Sequence, residues 1–152
     1  MTPGLGMDAS GRWYDEVHSG ETFSRSITIT ETHLVLGAGL IGDFNPHHVN
    51  DEYARGSRFG TRILHGMMTS ALMGAAVGMY FHGTAVANLE HAARFKAPVR
   101  AGDTLTTTWT VTGRHDKPHH GGGVVVLHGV CRNQDGVVVA EADGKMLVHA
   151  RT

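Results

Sequence analysis

The chain has 152 residues, the size of one ordinary domain, and at that length roughly 70% of the unfolded surface can be buried without a covalent staple. Hydrophobic residues make up 41% and charged residues 18%, which argues against disorder, and a net charge of -1 with histidine neutral provides neither a basic field for nucleic acid nor a polybasic membrane patch. One cysteine, Cys131, excludes an intramolecular disulfide framework and points to a reducing compartment, the cytoplasm.

Residues 1–20 are Gly-rich and polar and read as an arm laid on the surface, ahead of one domain over 21–152. No basic segment followed by an apolar run opens the chain, so no signal peptide is expected. From Glu21 onward, Phe23, Arg25, Ile27 and Ile29 alternate with Ser24, Ser26, Thr28 and Thr30, a period-two strand signal. Thr30, Glu31 and Thr32 offer caps for a helix running to about Gly42. Asp43 to Asn50 is expected to be irregular, because Pro46 disfavours helical backbone at Asn45. Asp51 to Arg55 can make one helical turn, with a loop over Gly56 to Gly60.

Gly66 to Phe81 contains no charged residue and reads as a core helix, apolar all round; the longer uncharged stretch Ile63 to Phe81 falls at the short edge of a membrane span but, broken by His65, Thr69, Ser70 and three glycines, reads as a buried helix of a soluble protein. Ser70, Gly74 and Gly78 recur every fourth residue, leaving one face without bulk on which other backbones can approach. The remainder reads as sheet: strands over Thr84 to Phe95, Thr104 to Gly113, Val124 to Arg132 and Val137 to His149. A Gly- and His-rich loop is expected over Asp116 to Gly123 and a turn at Asn133-Gln134-Asp135-Gly136. An antiparallel sheet curled around one apolar helix is the simplest way to bury that helix, and the class is α+β.

Two clusters carry chemistry. Gly42-Asp43-Phe44-Asn45-Pro46-His47-His48 puts a carboxylate and imidazoles on a bend where Asp43 and His48 can converge as a general acid/base pair; an Asx-type turn with a surface histidine is the structural alternative. Leu64-His65-Gly66-Met67 opens the core helix, where first-turn N–H groups lack internal partners and suit a developing oxyanion. His65 and Gly66 can equally be a plain cap.

Taken together, the run Gly42 to Asn50, then Phe59-Gly60, Ile63-Leu64-His65-Gly66-Met67, and Phe95 to Leu105 resemble the MaoC-like dehydratase family, which includes the (R)-specific 2-enoyl-CoA hydratases. The resemblance implies a hot-dog fold, a long helix wrapped by antiparallel sheet. It also implies a homodimer or a dimer of dimers. Asp43 and His48 would be the catalytic dyad and Gly66 the oxyanion donor, with His65 and Asn45 completing the site. The implied reaction is reversible addition of water to a trans-2-enoyl-CoA, giving a (R)-3-hydroxyacyl-CoA. No cofactor or metal is implied, since coenzyme A belongs to the substrate. Where some relatives carry a serine along the helix this chain has Gly74, which bears on acyl preference. The rival readings are a hot-dog thioesterase and a non-catalytic acyl-thioester binding or dimerisation module.

Other patterns are set aside. Gly37-Ala38-Gly39-Leu40-Ile41-Gly42 matches a dinucleotide fingerprint, yet no helix follows its last glycine. His47, His48, His65 and His82 share no ligand spacing with a cysteine or carboxylate pair, and His115, His119 and His120 fall in a loop. Cys131 reads as a small buried hydrophobe. Arg94 and Lys96 share a strand face, which reads as solvated.

Overall fold

A computed structural model describes residues 11–151. Five antiparallel strands form one sheet in the order β1-β3-β4-β5-β2: β1 (Thr22–Thr28), β2 (Ala85–Phe95), β3 (Thr104–Lys117), β4 (Gly122–Arg132) and β5 (Val138–His149). Between β1 and β2 lie α1 (Glu31–Ile41), the short turns α2 (Pro46–Val49) and α3 (Asp51–Arg55), and α4 (Gly66–Tyr80). The element order matches the sequence reading. Alternation decides the faces of β3: Leu105, Thr107, Trp109 and Val111 are buried, while Thr106, Thr108 and Thr110 sit on the outer side. There Ser24 and Ser26 of β1 hydrogen-bond Thr108 and Thr106 at 2.7 Å.

Helix α4 lies on the inner face of the sheet. Its Met73 carbonyl accepts from Trp109 Nε1 at 2.9 Å, a buried polar tie between helix and sheet. Thr69, Ser70, Met73, Ala76 and Val77 are buried, but Met67 is 67% and Met79 52% exposed. The expectation of a helix buried all round is therefore corrected for the single chain: one sheet covers only one side of a helix.

Four further expectations are corrected. Asp43 to Asn50 is not wholly irregular, because α2 forms there. Proline is favourable at a first helical position, and Asn45, held extended at φ -55° and ψ 134°, caps the turn by accepting from His47 N–H. On the small-residue face of α4, Ser70 and Gly74 meet the side chain of His91 in β2, not another backbone, and among the described residues a Cβ on Gly78 would meet nothing beyond its own stretch of helix within 4 Å. In the region expected as a loop, β3 runs on through Lys117 and β4 begins at Gly122, with a 3-10 turn over Pro118–His120 between them. Finally, residues 11–20 are no surface arm: Tyr14 and Val17 are buried in the core cluster, and Tyr14 donates to Asp116 Oδ1 at 2.6 Å. The two nonpolar contacts anchor a run that is otherwise polar; residues 1–10 lie outside the described part.

Candidate active site

Helix α1 begins at the cap Thr30, whose N–H donates to His33 Nδ1 at 3.0 Å. It ends at Gly42, with φ 74°. This left-handed conformation suits glycine and turns the chain so that Asp43 comes to lie beside α4. Asp43 Oδ1 then accepts from Asn45 N–H at 3.1 Å, which fixes the carboxylate at the head of the α2 turn.

The adjacent histidines of α2 part company. His47 turns away, edge-on to Tyr53 and Phe59. His48 turns inward, with its Nδ1 2.7 Å from the Ile63 carbonyl. A carbonyl only accepts, so in the neutral ring Nδ1 carries the hydrogen and Nε2 carries a lone pair. That lone pair faces Asp43 Oδ2 across 3.7 Å. Two acceptors at this separation do not bond one another, and a water donating one hydrogen to each fits between them. The Asp43 side chain is half-exposed and the His48 side chain mostly buried, so solvent reaches the pair from one side.

His65 sits beneath. It is fully buried, its Nε2–H donates to the Asp43 main-chain carbonyl at 2.9 Å, and its ring stacks on His48. Its Nδ1 points toward α1, where a Cβ on Gly37 would stand 3.3 Å away. The first glycine of the apparent dinucleotide fingerprint thus serves close helix packing.

Gly66 is the first residue of α4, so its N–H has no helical partner. It lines an open cleft of about 350 Å³ together with Phe59, Thr69, Phe95, Val99, Arg58 and Lys96, among others. Phe95 lies flat over it, 3.3 Å from where a Cβ would be. The structure therefore brings Asp43, His48 and His65 together, with Gly66 next to His65 at the head of α4. Asn45 stays at the periphery as a cap.

Ligand-bearing atoms of Asp43, His48 and His65 all lie within 4.8 Å of one another, a proximity that linear spacing did not reveal. His65 Nε2 is nevertheless engaged by the Asp43 carbonyl, and its buried Nδ1, turned toward α1, has no hydrogen-bond partner among the described residues. The stacked rings, 28° from parallel, also set their in-plane lone pairs side by side instead of converging on one ion.

Two contributors escaped the sequence reading. The Ile63 carbonyl fixes the His48 tautomer, and a backbone atom leaves no mark in a sequence. Arg62 pairs with Glu31 of α1 and Asp51 of α3 and reaches toward the His48 carbonyl at 3.4 Å. Three arginines, Arg55, Arg58 and Arg62, lie between the two motifs, and nothing in the sequence singles out Arg62. The carboxylates hold its guanidinium pKa above the ordinary arginine value.

The model of the MaoC-like domain matches residues 16–131. The chain belongs to this family. MaoC-like relatives include an (R)-specific enoyl-CoA hydratase of Rhodospirillum rubrum, 37% identical over 139 residues, which are 91% of this chain and 93% of that protein. Among solved structures, the unliganded R-hydratase PhaJ1 of Pseudomonas aeruginosa superposes with a TM-score of 0.82 at 30% identity, over 91% of this chain and 86% of the other. The (R)-hydratase of A. caviae involved in PHA biosynthesis superposes with 0.73 at 27%, over 89% and 98%. The MaoC-like fold is the hot-dog expected from the sequence, an α+β architecture.

Proposed function

We propose that this protein is a hydro-lyase that adds water reversibly across the double bond of a trans-2-enoyl-CoA, giving a (R)-3-hydroxyacyl-CoA. The observation that carries the reading is the pair of acceptors, His48 Nε2 and Asp43 Oδ2, held 3.7 Å apart next to the free first turn of α4. The names of the similar hydratases supply the thioester and the stereochemistry.

In this reading one water is held by both hydrogens. As its oxygen bonds to C3, one proton passes to the lone pair on His48 Nε2, and Asp43 keeps hold of the other hydrogen while balancing the imidazolium. Electron density moves from the C2–C3 double bond toward the thioester carbonyl, whose oxygen accepts a hydrogen bond from the Gly66 N–H as its charge grows. A donor of this kind is worth about 3 kcal/mol. His48 then returns its proton to C2, so that OH and H have been added and the enzyme is restored. The hydrogen bond from Nδ1 to Ile63 leaves the lone pair on Nε2 and so favours His48, not Asp43, as the group that draws the proton.

The reading draws on no metal or redox cofactor, and coenzyme A enters as part of the substrate. The protein acts as a homodimer or a dimer of dimers, in the cytoplasm. Support for assembly comes from the exposed apolar side of α4 and from β2, which forms one edge of the sheet. Among the described residues no helix is long and apolar enough to cross a membrane.

Asp43→Asn and His48→Ala test the reading. Each is expected to lower hydration of an enoyl-CoA at least ~100-fold, the scale of a positioned acid or base, with circular dichroism showing the fold retained. Release of free coenzyme A by the wild type without hydration would assign hydrolysis instead, and unimpaired hydration in either variant would remove the dyad.

A further inference from the structure

His91, at the middle of β2, has no part in the steps above. Its Nε2 lies 2.8 Å from Oγ of the buried Ser70. Its ring also covers Gly74, where a Cβ would stand 3.8 Å from both Cε1 and Nδ1. Burial lowers the pKa of this imidazole from its ordinary value, so near neutral pH it is an uncharged, hydrogen-bonded wall.

The wall stands between two facing runs. Gly66, Ser70 and Gly74 fall on one face of α4, and this stripe is about 12 Å long at the helical rise. Phe95 and His91 fall on one face of β2, about 13 Å apart at the rise of a strand. The two runs match in length, and they oppose each other: Phe95 over Gly66, His91 over Ser70 and Gly74. Little side-chain bulk stands on the helix side, and the Gly66 cleft lies at one end of this stretch. Beyond His91 lies a small void by Gly74, lined by Val77, Trp109, Leu127 and Met146 among others.

We propose that His91, tied to Ser70, is the stop that sets the length of the acyl group, so that the enzyme takes short enoyl thioesters of about four carbons. This rests on the hydratase reading, which places the thioester carbonyl at Gly66. Ser70 lies one turn, about 5–6 Å, farther along. An extended chain advances roughly 1.3 Å per carbon, the projection of a C–C bond of about 1.5 Å. C2 to C4 therefore use about 4 Å, and the van der Waals girth of the ring takes up the rest. The void past the ring is only about 10 Å³, so a longer chain needs the volume of the ring itself.

The test compares kcat/KM for but-2-enoyl-CoA and oct-2-enoyl-CoA. The wild type is expected to favour the shorter substrate at least 100-fold. His91→Val, which shortens the side chain and suits a strand, should shift the ratio toward the longer substrate at least 30-fold. His91→Phe, which keeps the bulk, should leave the ratio near that of the wild type. Ser70→Ala frees the ring without altering β2 and should shift the ratio in the same direction by at least threefold; it decides the matter if His91→Val does not fold. A wild type that takes both substrates within tenfold, or an unmoved ratio in whichever of His91→Val and Ser70→Ala folds, overturns the stop while the hydratase reading stands. If the wild type hydrates neither, that reading fails. Calorimetric binding of butyryl-CoA against octanoyl-CoA, in wild type and variant, then still reads the stop: equal affinities in the wild type overturn it.

Discussion

His48 stacks on His65 with ring centroids 3.8 Å apart and planes 28° from parallel. The lower ring is thus a floor for the upper one. It also ties the Asp43 main chain through its Nε2–H, so one buried side chain holds both members of the dyad in place. His65 acts as a positioning residue. His65→Leu is expected to lower kcat at least ~10-fold with KM little changed, the signature of lost transition-state geometry. It should also lower stability by about 1 kcal/mol for the hydrogen bond. His65→Phe restores a flat floor without the tie and should recover part of kcat. Steady-state kinetics beside thermal melts would separate the two effects, and a variant that melts lower at full kcat would make His65 purely structural.

Arg58 and Lys96 both line the cleft that contains Gly66, and Arg58 also lies over the Phe59 ring at 5.6 Å. Two cations at the cleft suit the phosphates of coenzyme A. Arg58→Ala is expected to raise KM several-fold at nearly constant kcat, since the phosphates lie away from the reacting carbons and contribute uniform binding. Added salt should raise the wild-type KM in the same direction. A KM that responds to neither change would leave these cations as solvated surface charge.

The depressed pKa of His91 has a consequence for stability. Desolvation is the cause, so the folded chain binds this proton less readily than the unfolded chain does. The associated stability is complete above the unfolded value of about 6.5 and is lost as pH falls below it, through the lower folded value. Melting temperatures measured from pH 8 to pH 5 should therefore fall less steeply on the acid side in His91→Phe than in the wild type. Parallel curves would show that the imidazole titrates as freely in the native state as in the unfolded one.

Assembly is testable by mass. Met67 and Met79 on α4, and Val86 and Leu89 on the edge strand β2, are all large apolar residues that a single chain leaves exposed. Such a surface beside an open edge is a hazard when uncovered. Light scattering at micromolar concentration should give about twice 16.3 kDa, or a multiple of that. A stable and active species at the monomer mass would end the assembly reading.

Much of this was legible in the residues, for reasons that differ from place to place. The strands showed because β3 and β5 each have one face on the core, which imposes alternation. The dyad showed because Asp43, Asn45, Pro46 and His48 shape their own bend. What stayed hidden depends on distant partners. Pro46 signalled a break but also started a helix, and only the capping by Asn45 decides between the two. Tyr14 and Val17 looked like part of a polar arm because the pocket that receives them is built from strands about a hundred residues later, as in the bond from Tyr14 to Asp116. The small-residue face of α4 was visible, but Phe95 and His91 could not be placed over it without the sheet order.

That sheet order also governs how the chain comes together. The β3–β4 and β4–β5 pairings join neighbours in sequence, whereas Ser26 of β1 meets Thr106, 80 residues on, and β2 finds its partner only in β5, the last strand of the chain. Closing such loops slows folding. During synthesis, Asp43, His48 and Gly66 emerge well before β5, and until β5 arrives β2 has no strand to dock on and cannot carry Phe95 and His91 over α4. A chain cut before β5 would possess every catalytic residue and no active site.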